Sequence, residues 1–418
     1  MKKLNTFFIL WSTQSLSQLG SAMTGFALTL WLYETTGSAL KTALLSVFTY
    51  APYVVVSIFA GALSDKWDKK KILLSCDTFA ALCTVAILIL FKTGRLLPLH
   101  MYILNAMSGL MNTVQQPAGD VLMTLVTPKE YYQKTSGLRS FSQSLVTVLH
   151  PVLATAIFAA FGMEAVIFTD LLTFAAAFLS LAFFIHVPKS EIKSNANEPF
   201  NKAVRSGLLY LKENRLILVL ILFLAGVNFV ASAFDAALPP FVLSNTNGNE
   251  TVLGIVTSCA GAATLVGSLI VTILPPPKDR VRVIYITMLF SLGTENFILA
   301  FCKTPLFWCA AQVIGWILVP VMSANLDVIL RSTIPVNMQG RVYSCRNTLQ
   351  FFTIPIGFLA GGSMVDATEA FMSGKGGLLA ALFGSAKGSG AALTMFILGI
   401  AGVVMCLSFG KVLKKYHY

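Results

Sequence analysis

The chain has 418 residues, of which 56% are apolar and only 11% charged. That is too little polar surface to cover a soluble globule of this length, so the composition specifies a polytopic membrane protein. The formal net charge of +12 is accounted for by orientation in the bilayer and contact with anionic lipid, and no nucleic-acid partner is expected.

At ~20 apolar residues per crossing, twelve spans can be laid along the chain. The first covers 7 to 32 and carries Gln14, Gln18 and Ser21 on one face. Met1-Lys2-Lys3 ahead of it imitates a secretory leader, but the apolar run is too long and has no small-x-small cleavage site, so it is expected to be retained. Spans two and three cover 42 to 63 and 72 to 91, with Asp77 at an inner end. The fourth, 99 to 121, places Asn105, Ser108, Asn112 and Gln115 at three-to-four spacing and Asp120 at its inner end. Spans five and six cover 138 to 161 and 163 to 187, with Asp170 about two turns into the sixth.

A connection over 188 to 215 follows. In it Phe200, Val204, Leu208 and Leu211 recur at near-helical spacing opposite Lys202, Arg205, Lys212 and Arg215, the pattern of an amphipathic helix on the inner membrane surface. Span seven, 216 to 243, carries Asn228, Ser232 and Asp235 ahead of Pro239-Pro240, which reads as a break. Spans eight and nine cover 252 to 274 and 283 to 302, the latter with Glu295 beside Asn296. Span ten, 305 to 330, has Gln312 and Trp316 on one face and Asp327 at its inner end; the last two cover 343 to 365 and 390 to 410. The expected fold is all-α, with a first six-helix bundle over 1–187, a linker over 188–215 and a second bundle over 216–418.

With both termini inside, only Lys41, Lys92, Arg95, Lys303, Lys375 and Lys387 of the 30 basic residues fall outside, which fixes an N-in, C-in orientation. The halves repeat at an offset of 207: Asp120-Val121, Pro128, Arg139 and Gln143 fall on Asp327-Val328, Pro335, Arg346 and Gln350. Parallel repeats of this kind place a site at mid-membrane between the halves. The seven cysteines and four histidines are scattered, with no Cys-x-x-Cys pair and no zinc spacing, so no metal or other cofactor is expected. No nucleotide-binding loop is present to supply ATP drive.

A carboxylate deep in a span costs ~2.5 to 3.5 kcal/mol on insertion scales unless it is neutral or paired. Asp77, Asp120 and Asp327 lie near inner ends and read as gate or structural residues. Asp235 is the first candidate for carrying a proton, because it continues the polar face of span seven. Glu295 is the second. Asp170 is the third, with a structural reading standing ahead of it.

The segment Gly61-Ala62-Leu63-Ser64-Asp65-Lys66-Trp67-Asp68-Lys69-Lys70-Lys71 sits between spans two and three. Its order Gly, Leu, Asp and basic triplet resembles the corresponding loop of major facilitator superfamily transporters. Glu34-Thr35-Thr36-Gly37-Ser38-Ala39, Gln116-Pro117-Ala118, Gly207-Leu208-Leu209-Tyr210-Leu211 and the Pro335 to Ser344 segment with Gln339-Gly340-Arg341 narrow the resemblance to the macrolide-efflux and enterobactin-exporter branch. Two departures concern coupling: Asn105 stands near where many antiporters have arginine, and Leu149-His150-Pro151 replaces a Gly-Pro.

The resemblance implies that spans one, four, seven and ten line a cavity, with Gln14, Gln18, Asn105, Asn112, Gln115, Asn228, Asp235, Gln312 and Trp316 on its walls. It also implies a cytoplasmic gate of Gly61, Asp65, Lys69, Lys70, Asp120, Asp327 and Arg341. The function implied is monomeric, proton-driven export of hydrophobic or amphipathic small molecules, macrolide-like drugs among them, across a bacterial cytoplasmic (inner) membrane. It is not an enzymatic one. Lysolipid or siderophore export is the nearest alternative, and a non-transporting sensor or scaffold is the alternative of another class.

Overall fold

Lipid offers backbone amides no partners, so a chain of this composition has to close its hydrogen bonds within each segment. The computed structural model describes residues 5–66, 68–128, 131–185, 200–374, 378–384 and 387–415, and among them every regular element is helical. In chain order these are α1 (Asn5–Thr36), α2 (Ala39–Lys66), α3 (Lys69–Lys92), α4 (Pro98–Val126), α5 (Tyr132–Phe161) and α6 (Met163–Leu179), the last continuing as a π-turn over Ser180–Phe184. Then come α7 (Phe200–Glu213), α8 (Arg215–Asn245), α9 (Glu250–Ile273), α10 (Arg280–Phe301), α11 (Pro305–Ile317), α12 (Val319–Thr333), α13 (Val336–Phe351), α14 (Thr353–Met372), α15 (Leu378–Phe383) and α16 (Ser389–Leu413).

Ten of the helical stretches are long and apolar enough to cross a bilayer. Helices α1 and α4, at 32 and 29 residues, have the length but are more polar, because they carry two of the glutamine and asparagine faces noted above. With them the chain has the twelve spans expected, the tenth built from α11 and α12 and the eleventh from α13 and α14.

Local chemistry sets the ends. Asp68, Asn249 and Asp279 cap α3, α9 and α10, each accepting a backbone N–H from three residues on. Pro98 and Pro305 open α4 and α11, where a missing N–H costs nothing. Span ten turns at Leu318, just before Pro320, and span eleven at Phe352, just before Pro355. The Pro239-Pro240 pair does not break the seventh span: α8 runs through it to Asn245. Neighbouring helices tolerate such prolines in membranes. The two missing amides are those that would have paired with the carbonyls of Asp235 and Ala236.

The contacts divide the chain into two units, Met1–Leu32 with Phe48–Asn197, and Tyr33–Val47 with Glu198–Tyr418. In the first, α3 packs on α4 and α6, and a core of Phe7, Leu10, Ile72, Leu73, Leu122 and Leu181 fills the space they enclose. In the second, the main pairs are α10 with α16, α8 with α14, and α9 with α11. The linker helix α7 is held by protein as well as being amphipathic: Leu211 is buried, Tyr210 Oη donates to Thr333 O at 3.0 Å, and Leu208, Leu209, Arg205 and Lys212 stay exposed. The part of the linker over 188–199 lies outside the described residues.

Helices α8 and α14 meet backbone to backbone. A Cβ at Gly357 would strike Ser232 Oγ and Phe229 O, and one at Gly361 would strike the Ala233 backbone. Small residues do this work in lipid, where helix association depends on close packing. Gly361→Val should therefore cost about 1–3 kcal/mol by overpacking, visible as a lower midpoint in a thermal size-exclusion assay. An unchanged midpoint would show that the two helices separate without loss.

Candidate functional site

The polar faces of α1 and α4 converge on acids within the first unit. Asp77, buried on α3, accepts a hydrogen bond from Gln115 Nε2 of α4 at 2.5 Å, and Gln14 of α1 lies beside it. The Gln14 amide nitrogen and Asp77 Oδ2 are both buried and make no hydrogen bond of good geometry with each other. One face further along α1, Ser21 Oγ donates to Asp170 Oδ1 of α6 at 2.9 Å. Asp170 is thus buried and tied to α1, which supports a structural role. Of the remaining expected wall residues in this unit, Asn105 turns back to Met101 O at 3.0 Å, while Gln18 and Asn112 are exposed.

In the second unit, Asn228 Nδ2 donates to Gln350 O of α13 at 3.0 Å, fastening α8 to the eleventh span. Asp235 lies two turns further along α8. Its side chain is solvent-accessible although protein surrounds it, whereas Ser232, Ala233, Phe234, Ala236, Ala237 and Leu238 are all buried. Glu295 on α10, 4% exposed, is its electrostatic neighbour. Trp316 Nε1 donates to Glu295 Oε1 at 3.1 Å, and Ser291 Oγ to Gly315 O at 2.7 Å, so α10 and α11 are pinned on both sides of the acid. A Cβ at Gly315 would occupy the position of the Glu295 carboxylate. Gln312, 1% exposed, faces the interior of this unit as Trp316 does.

Glu295 therefore sits in a made-to-measure seat, on a helix expected to be peripheral. Gly315 and Ser291 complete that seat and were not singled out by sequence reasoning. Their signal is weak: a glycine next to a tryptophan in a span, and a serine one turn before the acid.

Of the expected gate residues, Lys70, Asp120, Asp327 and Arg341 each have partners within their own unit. Lys70 Nζ donates to Ala182 O at 2.9 Å and to Ile185 O at 2.8 Å, filling the carbonyls that the π-turn at the end of α6 leaves open. Arg341 Nη1 donates to Ser206 Oγ of α7 at 3.3 Å. Asp120 forms an ion pair with Arg139. Its repeat partner Asp327 is a charge partner of Arg346, whose Nε also donates to Gln350 Oε1 at 3.0 Å. The duplication found by offset is thus a duplicated Asp–Arg device. Lys69 is half-buried at the start of α3. The side chains of Gly61 and Asp65 lie outside the described residues, as does Trp67.

Helices with polar faces, buried acids and an Asp–Arg charge pairing repeated at the inner ends are the build of a membrane transporter. The Major Facilitator Superfamily sequence profile matches residues 10–358, and the chain belongs to that superfamily. Macrolide efflux protein A of Streptococcus pyogenes is 24% identical over 376 residues, covering 88% of this chain and 92% of that protein. The multidrug efflux pump Tap of Mycolicibacterium fortuitum is 20% identical over 360 residues, covering 83% and 86%. A bacterial homolog of the human lysosomal transporter Spinster matches in structure with a TM-score of 0.73 at 13% identity, covering 98% of this chain and 96% of that one, a likeness of fold. The protein is accordingly a multi-pass transporter of a bacterial cytoplasmic membrane.

Lys70→Met keeps most of the unbranched side chain and removes its donors. The two carbonyls at the end of α6 then lose a charged partner worth about 1.5–3 kcal/mol each. A drop in thermal midpoint for Lys70→Met is the expected result, and an unchanged midpoint would show that the two carbonyls are satisfied without it.

Proposed function

We propose that the protein is a proton-driven exporter of hydrophobic or amphipathic small molecules, macrolide-like drugs among them, working by alternating access as a monomer. The observation that carries this reading is Asp235. It is an acid on the accessible side of an otherwise buried helix, next to a second, buried carboxylate at Glu295. An acid in an apolar span is costly unless it serves a purpose, and an exchangeable proton needs a carboxyl that water can reach. The efflux proteins among the relatives support the direction and class of cargo.

In this reading the six-span halves, 1–187 and 216–418, are the bodies that rock about the substrate site. Gln18, Asn112 and Asp235 offer polar groups to cargo, since their side chains are exposed on spans that are otherwise apolar. Gln14, Gln115, Asn105, Asn228, Gln312 and Trp316 serve behind them by holding helices and acids in place. Asp235 loads its proton on the outer side and releases it on the inner side as cargo moves the other way. Glu295 supplies the neighbouring charge that makes this loading depend on conformation, and Trp316 orients it.

Asp235→Asn mimics the protonated state permanently. In proteoliposomes it should abolish accumulation driven by a pH gradient while leaving cargo exchange at equal concentrations intact, because exchange requires no net proton movement. Gradient-driven accumulation by a well-inserted Asp235→Asn protein would transfer the role to Glu295 or Asp170, or remove proton coupling altogether.

A further inference from the structure

The segment Tyr33–Val47 groups with the second unit, while the chain on either side of it, up to Leu32 and from Phe48, groups with the first. It contains the end of α1, the start of α2 and the Glu34 to Ala39 motif. Gly37, at φ +62°, makes the turn that lets α2 start two residues after α1 stops. The opening turn of a helix presents amides with no partner inside the helix. Here a carboxylate from far along the chain supplies one: Asp366 of α14 accepts from Ser38 Oγ at 2.6 Å, from Ala39 N at 2.8 Å and from Leu40 N at 3.1 Å, using both oxygens. Charge and helix dipole reinforce each other in this arrangement.

One turn earlier on the same face of α14, Gly362 lets the backbone of α2 in. A Cβ there would come within 2.7 Å of Ala43 Cβ, 2.8 Å of Leu40 Cα and 2.9 Å of Ala39 O. Below it Ala43, Phe358 and Ala236 close a small apolar cluster with Val47 and Ile354. Tyr33 Oη and Ser244 Oγ meet at 2.9 Å, holding the end of α1 to the end of α8. The polar partners, Tyr33, Ser38, Ser244 and Asp366, belong to the outer ends of spans, on the face opposite the basic loops.

We propose that Asp366, Ser38 and Gly362 form an outer clasp that opens and closes once in each transport cycle; this rests on the alternating-access reading above. Residues 33–47 are anchored to one unit and continuous at both ends with the other, so the segment is tied to both. The clasp is built to part. Ser38 and Asp366 are only half-buried, so water replaces each hydrogen bond as it opens. The apolar cluster beneath is small.

The test uses a chain in which the seven cysteines are replaced and Ala236→Cys is added under the clasp, labelled in intact cells with a membrane-impermeant maleimide and no cargo. Asp366→Ala should raise the labelling rate about tenfold, equivalent to ~1.4 kcal/mol. Gly362→Leu, which wedges the same contact without touching the carboxylate, should do likewise, so a folding defect in one variant leaves the other to decide. Rates equal to the parent in both would overturn the clasp.

Separately, Ser38→Cys with Asp366→Cys should form a disulfide that stops efflux until a reductant is added, and continued efflux by the cross-linked chain would overturn the clasp by showing that transport does not require the contact to open. If no form of the protein moves cargo, the export reading falls while the labelling result still decides the clasp.

Discussion

Everything in this molecule follows from the absence of water around its spans. Backbone groups are paired within helices, and polar side chains inside the membrane have to find partners on neighbouring helices. Most do: Asp77 with Gln115, Asp170 with Ser21, Glu295 with Trp316, and Asn228 with the carbonyl of Gln350. These bonds fix which helix faces meet, because an unpaired acid or amide in an apolar setting costs more than a misplaced leucine. Against this background an accessible acid such as Asp235 stands out, since nothing in packing explains its presence.

The two halves show how duplicated sequences diverge under this constraint. The Asp–Arg pair at the inner ends is kept in both, as Asp120 with Arg139 and Asp327 with Arg346. The lysine that caps the π-turn is not. At the same offset of 207, Lys70 corresponds to Pro277, which has neither a charge nor an N–H to give. One half is thus braced at its third span by Lys70 on the carbonyls of its sixth, and the other by Arg280, whose Nη1 donates to Asn325 Oδ1 of α12 at 2.9 Å just past the proline-rich turn.

Composition and spacing made the fold legible, because bilayer thickness sets span length and few other solutions exist for so apolar a chain. Polar faces on α1 and α4 were legible too, as was the repeat. What periodicity does not encode is which neighbour a face meets. Gln14 and Ser21 look like residues turned to water, yet they serve Asp77 and Asp170. Glu295 looked peripheral because its helix is peripheral in the family pattern, but a seat formed by Gly315 and Trp316 draws it inward. The Pro-Pro pair read as a break because the rule for soluble helices is strict, whereas packing keeps α8 whole. Asp366 escaped notice since its partner amides are more than three hundred positions away and carry no side-chain signature.

That last separation has a consequence for how the protein is made. At roughly 5–20 residues per second, the ribosome needs on the order of half a minute to get from Ser38 to Asp366, which are 328 positions apart. Throughout that interval α1 and α2 stand in the membrane with the first amides of α2 facing water or lipid headgroups. Their own carboxylate cap has not yet been synthesised. The outer turn is therefore among the first parts of the chain to be made and among the last to reach its final contacts.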